Sequence, residues 1–122
     1  MKTTIATAAI LLTVSLTACA GPAKDAQYKD VNDLGRAYEQ ATGVKCDETK
    51  NDIAKYGWIQ TGCGKTANVM LFTSDSKRDE IKGKNPLKPG MRYVQGGNWL
   101  LSADQYEAEK AQQGLGGQIL GQ

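Results

Sequence analysis

The rhythm of apolar positions along this chain changes several times, and each change marks an element. Residues 5–16 are apolar or small apart from Thr7, Thr13 and Ser15. From residue 31 the spacing becomes helical, with Val31, Leu34, Tyr38 and then Ala41 or Thr42 on one stripe. Asp30 suits the N-cap, and Asp33 adds negative charge where the helix dipole favours it. Gly43 can take the left-handed stop conformation, with Val44 packing back. This pattern predicts a helix over residues 31–42.

Residues 46–55 are polar and predict a loop, with a short turn of helix near Asp52. Residues 56–63 then carry the aromatic and β-branched content of a strand, and residues 67–73 form the most apolar strand in the chain. Gly64-Lys65-Thr66 joins the two as a hairpin. Ser74 or Asp75 opens a short polar helix over residues 76–82, with Ile81 as its main apolar residue. Pro86 and Pro89 break residues 83–90 into a loop.

Residues 91–95 predict a third strand. Gly96-Gly97 marks a tight turn or a bulge. Residues 98–101 are either a fourth strand or the continuation of the third. Ser102 and Gln105 stand at capping-box spacing and open a last helix to about residue 113. The Gly- and Gln-rich residues 114–122 predict a flexible tail. Together the elements predict a two-layer α+β domain: an antiparallel sheet of three or four strands, with helices packed on one face.

The length of 122 residues fits one domain. The sequence holds 15 basic and 13 acidic side chains, a formal charge of +2. That is no nucleic-acid footprint, which needs a strongly basic, clustered face. The absence of histidine removes the commonest general base and the commonest metal ligand together. No cofactor is expected.

The N-terminus reads as an export signal. Lys2 gives a positive start, and the apolar run of 12 residues after it is shorter than the roughly 20 a membrane-spanning helix needs. Leu16-Thr17-Ala18-Cys19 closes it and resembles the lipobox of bacterial lipoproteins. The resemblance implies diacylglyceryl modification of Cys19 and cleavage just before it. The competing reading is an ordinary signal peptide with Cys19 incidental. Acyl chains on Cys19 would contribute about 0.8 kcal/mol per buried CH₂ to anchoring. Residues 1–18 are then the signal, 19–29 a lipid-bearing tether, and 30–113 the folded domain, held on the outer face of the cytoplasmic membrane.

With Cys19 lipidated, Cys46 and Cys63 remain of the three cysteines. Outside the cytoplasm, an even pair reads as a structural disulfide. A redox pair and two free thiols are the alternatives, though the spacing is no Cys-x-x-Cys and there is no histidine for a zinc site.

Other signals are weaker. Gly64-Lys65-Thr66 looks like the end of a phosphate-binding loop, but Ile59 stands where its first glycine belongs. Tyr56, Trp58, Tyr93 and Trp99 could form a stacking surface for a glycan or small ligand, or serve as core. Lys77, Arg78, Lys82, Lys84, Lys88 and Arg92 form a basic stretch that reads as a solvated face or as a patch for anionic lipids or wall polymers. The serines sit where helix caps belong, and no nucleophile stands beside a base.

One further resemblance comes from the lipobox, the Gly-Val-x-Cys that ends the first helix, the second cysteine after Thr61-Gly62, and Gly96-Gly97-Asn98-Trp99. This combination is similar to small lipoproteins of Gram-positive actinobacteria and their phages. It implies a Cys46–Cys63 bridge and a core centred on Trp99, and no activity. The expectation is a non-enzymatic envelope lipoprotein that binds a protein or envelope component, with superinfection exclusion as one role. A wall-glycan or small-ligand binder is the second expectation, and a small hydrolase the third. Membrane contact through Cys19 and an envelope partner are expected; nucleic acid is not.

Overall fold

The computed structural model describes residues 24–121. The lipobox residues Leu16, Thr17, Ala18 and Cys19 lie outside them. Helix α1, Val31–Thr42, has the boundaries its periodicity predicts. The Asp30 carboxylate accepts from the Asn32 N–H at 2.8 Å, and Gly43 stops the helix at φ 78°.

The loop after α1 contains one short helix, α2, Ile53–Tyr56. Gly57 ends it with φ 80°, so strand β1 begins only at Trp58 and runs Trp58–Cys63. Tyr56, expected to start that strand, belongs to α2 instead, because the left-handed Gly57 separates the two elements. Strand β2, Ala67–Phe72, pairs antiparallel with β1 in the hairpin expected, closed at Cys63 opposite Ala67. Helix α3, Asp75–Lys84, is capped by the Ser74 side chain, which accepts from the Lys77 N–H.

Strands β3, Met91–Gln95, and β4, Trp99–Asp104, form a second hairpin. They are two strands and not one bulged strand. The Gly96 N–H donates to the Trp99 carbonyl at 3.0 Å. The turn therefore centres on Gly97 and Asn98, one residue later than the glycine pair suggests. Helix α4, Gln105–Leu115, completes the helices. Its cap is Asp104, which accepts from the Glu107 N–H at 2.8 Å. Ser102, the expected cap, lies inside β4, opposite Asn68 and Tyr93. The strand runs on because Ala103, fully buried, continues its inward alternation.

A fifth strand, β5, Gln118–Leu120, pairs with the outer edge of β3. Residues 118–120 of the tail expected to be flexible are thus a paired strand. Leu115 is fully buried at the end of α4, and Gly116 and Gly117 reverse the chain at φ 83° and 81°. Here the glycines supply a turn that L side chains rarely adopt. The sheet order is β1-β2-β4-β3-β5, all antiparallel.

Alternation along the strands gives the sheet two different faces. Val69, Leu71, Val94, Trp99, Leu101 and Ala103 meet Val31, Leu34 and Tyr38 of α1 and Ala108, Ala111 and Leu115 of α4 in the main core. Both long helices therefore cover one face, as predicted. The opposite face carries Met70, Phe72, Tyr93 and Leu100, and Ile81 of α3 covers part of it.

The expected disulfide is present. Cys46 and Cys63 are bonded, tying the loop after α1 to the end of β1. Backbone bonds flank the bridge, from Asp47 N–H to the Gly62 carbonyl at 2.8 Å and from Gly64 N–H to the Lys45 carbonyl at 2.9 Å. Gly35, inside α1, lets the helix approach it: a Cβ there would lie 3.3 Å from Cys46 Cβ.

The end of the expected tether also packs onto the domain. The Asp25 N–H donates to the Leu115 carbonyl at 2.7 Å, and the Asp25 carboxylate accepts from the Gly117 N–H at 2.6 Å. The Asn98 side chain holds the Tyr28 backbone at both its N–H and its carbonyl.

Candidate functional site

The second face of the sheet is only partly covered, and the remainder is a groove of about 600 Å³. That lies within the range of small-molecule sites, roughly 300–1,000 Å³. Its floor is built from positions of β1, β2, β4 and β3 that alternate with the core residues. Met70, Leu100 and Tyr93 give an apolar strip, and Gln60, Asn68 and Ser102 give neutral hydrogen-bonding groups beside it. One wall is α3 with Ile81 and Lys82, and the other is the loop with Asn85, Pro86, Leu87, Lys88 and Pro89. Lys65 and Thr66 of the β1–β2 turn and Met91 at the start of β3 close one end.

The Tyr93 hydroxyl fixes the start of the loop wall, donating to the Asn85 carbonyl. Burial pushes its pKa up, so the hydroxyl keeps its proton well into the alkaline range. The Asn85 side chain donates to the Ile81 carbonyl at 2.8 Å, which joins the same loop to the end of α3. Pro86 and Pro89 stiffen the rest of the loop wall by fixing φ at two of its positions.

Charge in the groove has one sign. Lys65, Lys82 and Lys88 line it, and among the described residues no Asp or Glu does. Among the described residues, the cations paired with carboxylates are Arg36, Lys77, Arg78 and Lys84. Lys82 instead donates to the Gln95 side-chain carbonyl at 2.9 Å, an uncharged partner that positions the ammonium without neutralising it.

The basic stretch of the sequence therefore divides in two. Lys77, Arg78 and Lys84 make ion pairs with carboxylates of α3 itself, Arg78 with its side chain largely buried. Glu80, held by Lys84 and Lys77, has its pKa lowered by those hydrogen bonds. Lys82 and Lys88 turn to the groove. Arg92 bonds to the Met91 carbonyl and to Gln105 outside it.

Of the two readings of Tyr56, Trp58, Tyr93 and Trp99, a stacking surface or core, the structure favours core for the tryptophans, and it does not bring the four together. Trp99 is fully buried on the helix face, where its indole N–H donates to the Ala26 carbonyl. It has no face free for a ligand, because the core needs its volume. Trp58 stacks on Phe72 with ring centroids 6.3 Å apart. Tyr56 is 57% exposed on α2, away from the groove. Only Tyr93 of the four lines the groove.

Gly64-Lys65-Thr66 is the β1–β2 turn and leads into a strand, so the resemblance to a phosphate loop ends at composition. Among the described residues, no three metal-ligating side chains cluster, and no helix is long and apolar enough to cross a membrane.

Gln60 and Asn68 are groove residues that the pattern along the chain did not single out, and Ser102 and Lys65 are ones it read otherwise, as a helix cap and as part of a turn. A signal existed: Asn68 and Ser102 interrupt the two most apolar strands at positions of the same parity as Met70 and Leu100. Compared with known proteins, the chain matches no protein-family model, no curated protein and no solved structure.

Proposed function

We propose that this protein is an exported, lipid-anchored binding module of the cell envelope, without catalysis of its own, and that the groove on the second sheet face is its working surface. The observation that carries the reading is the groove's lining. It combines an apolar strip, neutral amide and hydroxyl groups and lysines that have no carboxylate partner among the described residues, on rigid paired strands. Such a lining orients and holds a ligand. It offers no carboxylate pair and no nucleophile beside a base with which to transform one. The Cys46–Cys63 disulfide supports an oxidising compartment, and the lipobox supports Cys19 as the anchor.

Two measurements test this. Intact mass of protein taken from the membrane fraction should show an acyl increment on a chain beginning at Cys19, and Cys19→Ser should move the protein into the soluble fraction. A native mass without acyl groups would refute the anchor. Amide spectra recorded while host envelope extract is added should shift at Gln60, Asn68 and Ser102. Shifts confined to α1 and α4, or none, would refute the groove as working surface.

A further inference from the structure

Resting on the groove as working surface, we infer that its ligand is a single-chain anionic amphiphile: one carboxylate or phosphate group on an apolar chain.

Three observations define this class. First, the lysines have no carboxylate among the groove's residues, so an incoming anion would find its counter-charge there. Second, the floor between them is apolar. Met70, Leu100 and Tyr93 lie beneath it as part of the buried second core, and the half-buried Leu87 and Met91, with the exposed Pro86 and Pro89, present its accessible apolar surface. Methionine in particular adapts its shape to a flexible chain. A small hydrophilic anion would leave this strip unused. Third, the backbone at the centre of the floor is engaged on both sides. Strand β2 lies between β1 and β4, and β4 lies between β2 and β3. A peptide that adds itself as a strand needs a free edge, and over these strands the groove offers none; the edge strand β1 reaches the groove only through Gln60.

The test is a calorimetric titration of the full chain carrying Cys19→Ser, which removes acylation and leaves the groove intact. The probes are laurate, lauryl phosphate, lauryl alcohol and inorganic phosphate. Laurate or lauryl phosphate should bind at least about tenfold more tightly than lauryl alcohol, and inorganic phosphate should give no heat. The preference between the two anions identifies the headgroup, a free fatty acid or a phospholipid fragment. Lys65→Gln with Lys88→Gln should weaken binding about tenfold with the thermal midpoint unchanged. Met91→Gln should weaken the chain's contribution and leave the salt dependence in place. Equal binding of the alcohol and the anions would overturn the proposal, as would no binding of either anion. If envelope extract shifts the groove amides while both anions fail, the ligand class is wrong and the working surface stands. If neither produces a change, both readings fall.

Discussion

The indole N–H of Trp99 donates to the carbonyl of Ala26 at 3.0 Å, a bond that spans 73 positions of the chain. It closes the N-terminal segment over the largest side chain of the core. Gly96 makes the arrangement feasible, since a Cβ there would stand 2.1 Å from Trp99 Cε2. Gly96→Ala should therefore destabilise the domain by about 3 kcal/mol, through overpacking at a buried ring. Trp99→Phe keeps an aromatic ring but loses the bond and part of the volume, and should cost about 2 kcal/mol. Urea unfolding measures both. A midpoint unchanged by Gly96→Ala would contradict the close approach of backbone and ring.

Removing residues 116–122 separates an ordered strand from a loose tail. The strand reading expects a loss of about 1–3 kcal/mol, from β5 pairing and the partial burial of Leu120. Amide exchange at Tyr93 and Val94 should accelerate, and residues 25–28 should become sensitive to protease, because Asp25 loses its Gly117 partner. A truncated protein as stable and as protected as the full chain would mean that β5 contributes nothing.

The disulfide closes a separation of 17 residues. In the loop-entropy description such a link stabilises by about 3 kcal/mol. Replacing Cys46 and Cys63 together by serine should lower the unfolding free energy by about that amount or somewhat more, since Cys63 is almost fully buried. Guanidinium unfolding with and without reductant provides the check. A reductant effect surviving in the double variant would assign it elsewhere.

Alkaline pH should unfold the protein through its tyrosines. Burial and then the hydrogen bond to Glu107 at 2.5 Å hold the Tyr38 pKa well above its ordinary value near 10. Burial raises Tyr28 and Tyr93 as well. A folded pKa above the unfolded one means stability fully present below about pH 10 and lost as pH climbs further, because only the unfolded chain readily releases these protons. Tyr38→Phe should flatten that alkaline limb without abolishing it, since Tyr28 and Tyr93 act in the same direction. Stability curves and tyrosinate absorbance track the effect. An identical slope in Tyr38→Phe would remove Tyr38 from the account.

Helix α1 and the β1–β2 hairpin are legible in the sequence because local signals define them. Asp30 and Gly43 bound the helix, and Gly64-Lys65-Thr66 sits between two β-rich runs. The α4 cap is not legible, because Ser102 and Asp104 are both good caps and burial of Ala103 chooses between them. The tail misleads because glycine signals freedom in a sequence and supplies positive φ in a fold. The aromatic site dissolves because Trp99 and Trp58 face opposite sides of the sheet, a distinction set by strand register.

By itself the amino-acid order determined most of the elements, the antiparallel α+β class and the expectation that Cys46 pairs with Cys63, since caps, periodicity and turn residues act over a few positions. The tertiary structure alone decided the fifth strand, the docking of residues 25–28 and the groove. Each depends on groups brought together from distant parts of the chain. Lys65, Lys82 and Lys88 come to line one groove only when three separate segments meet on one sheet face, and no local spacing encodes that meeting.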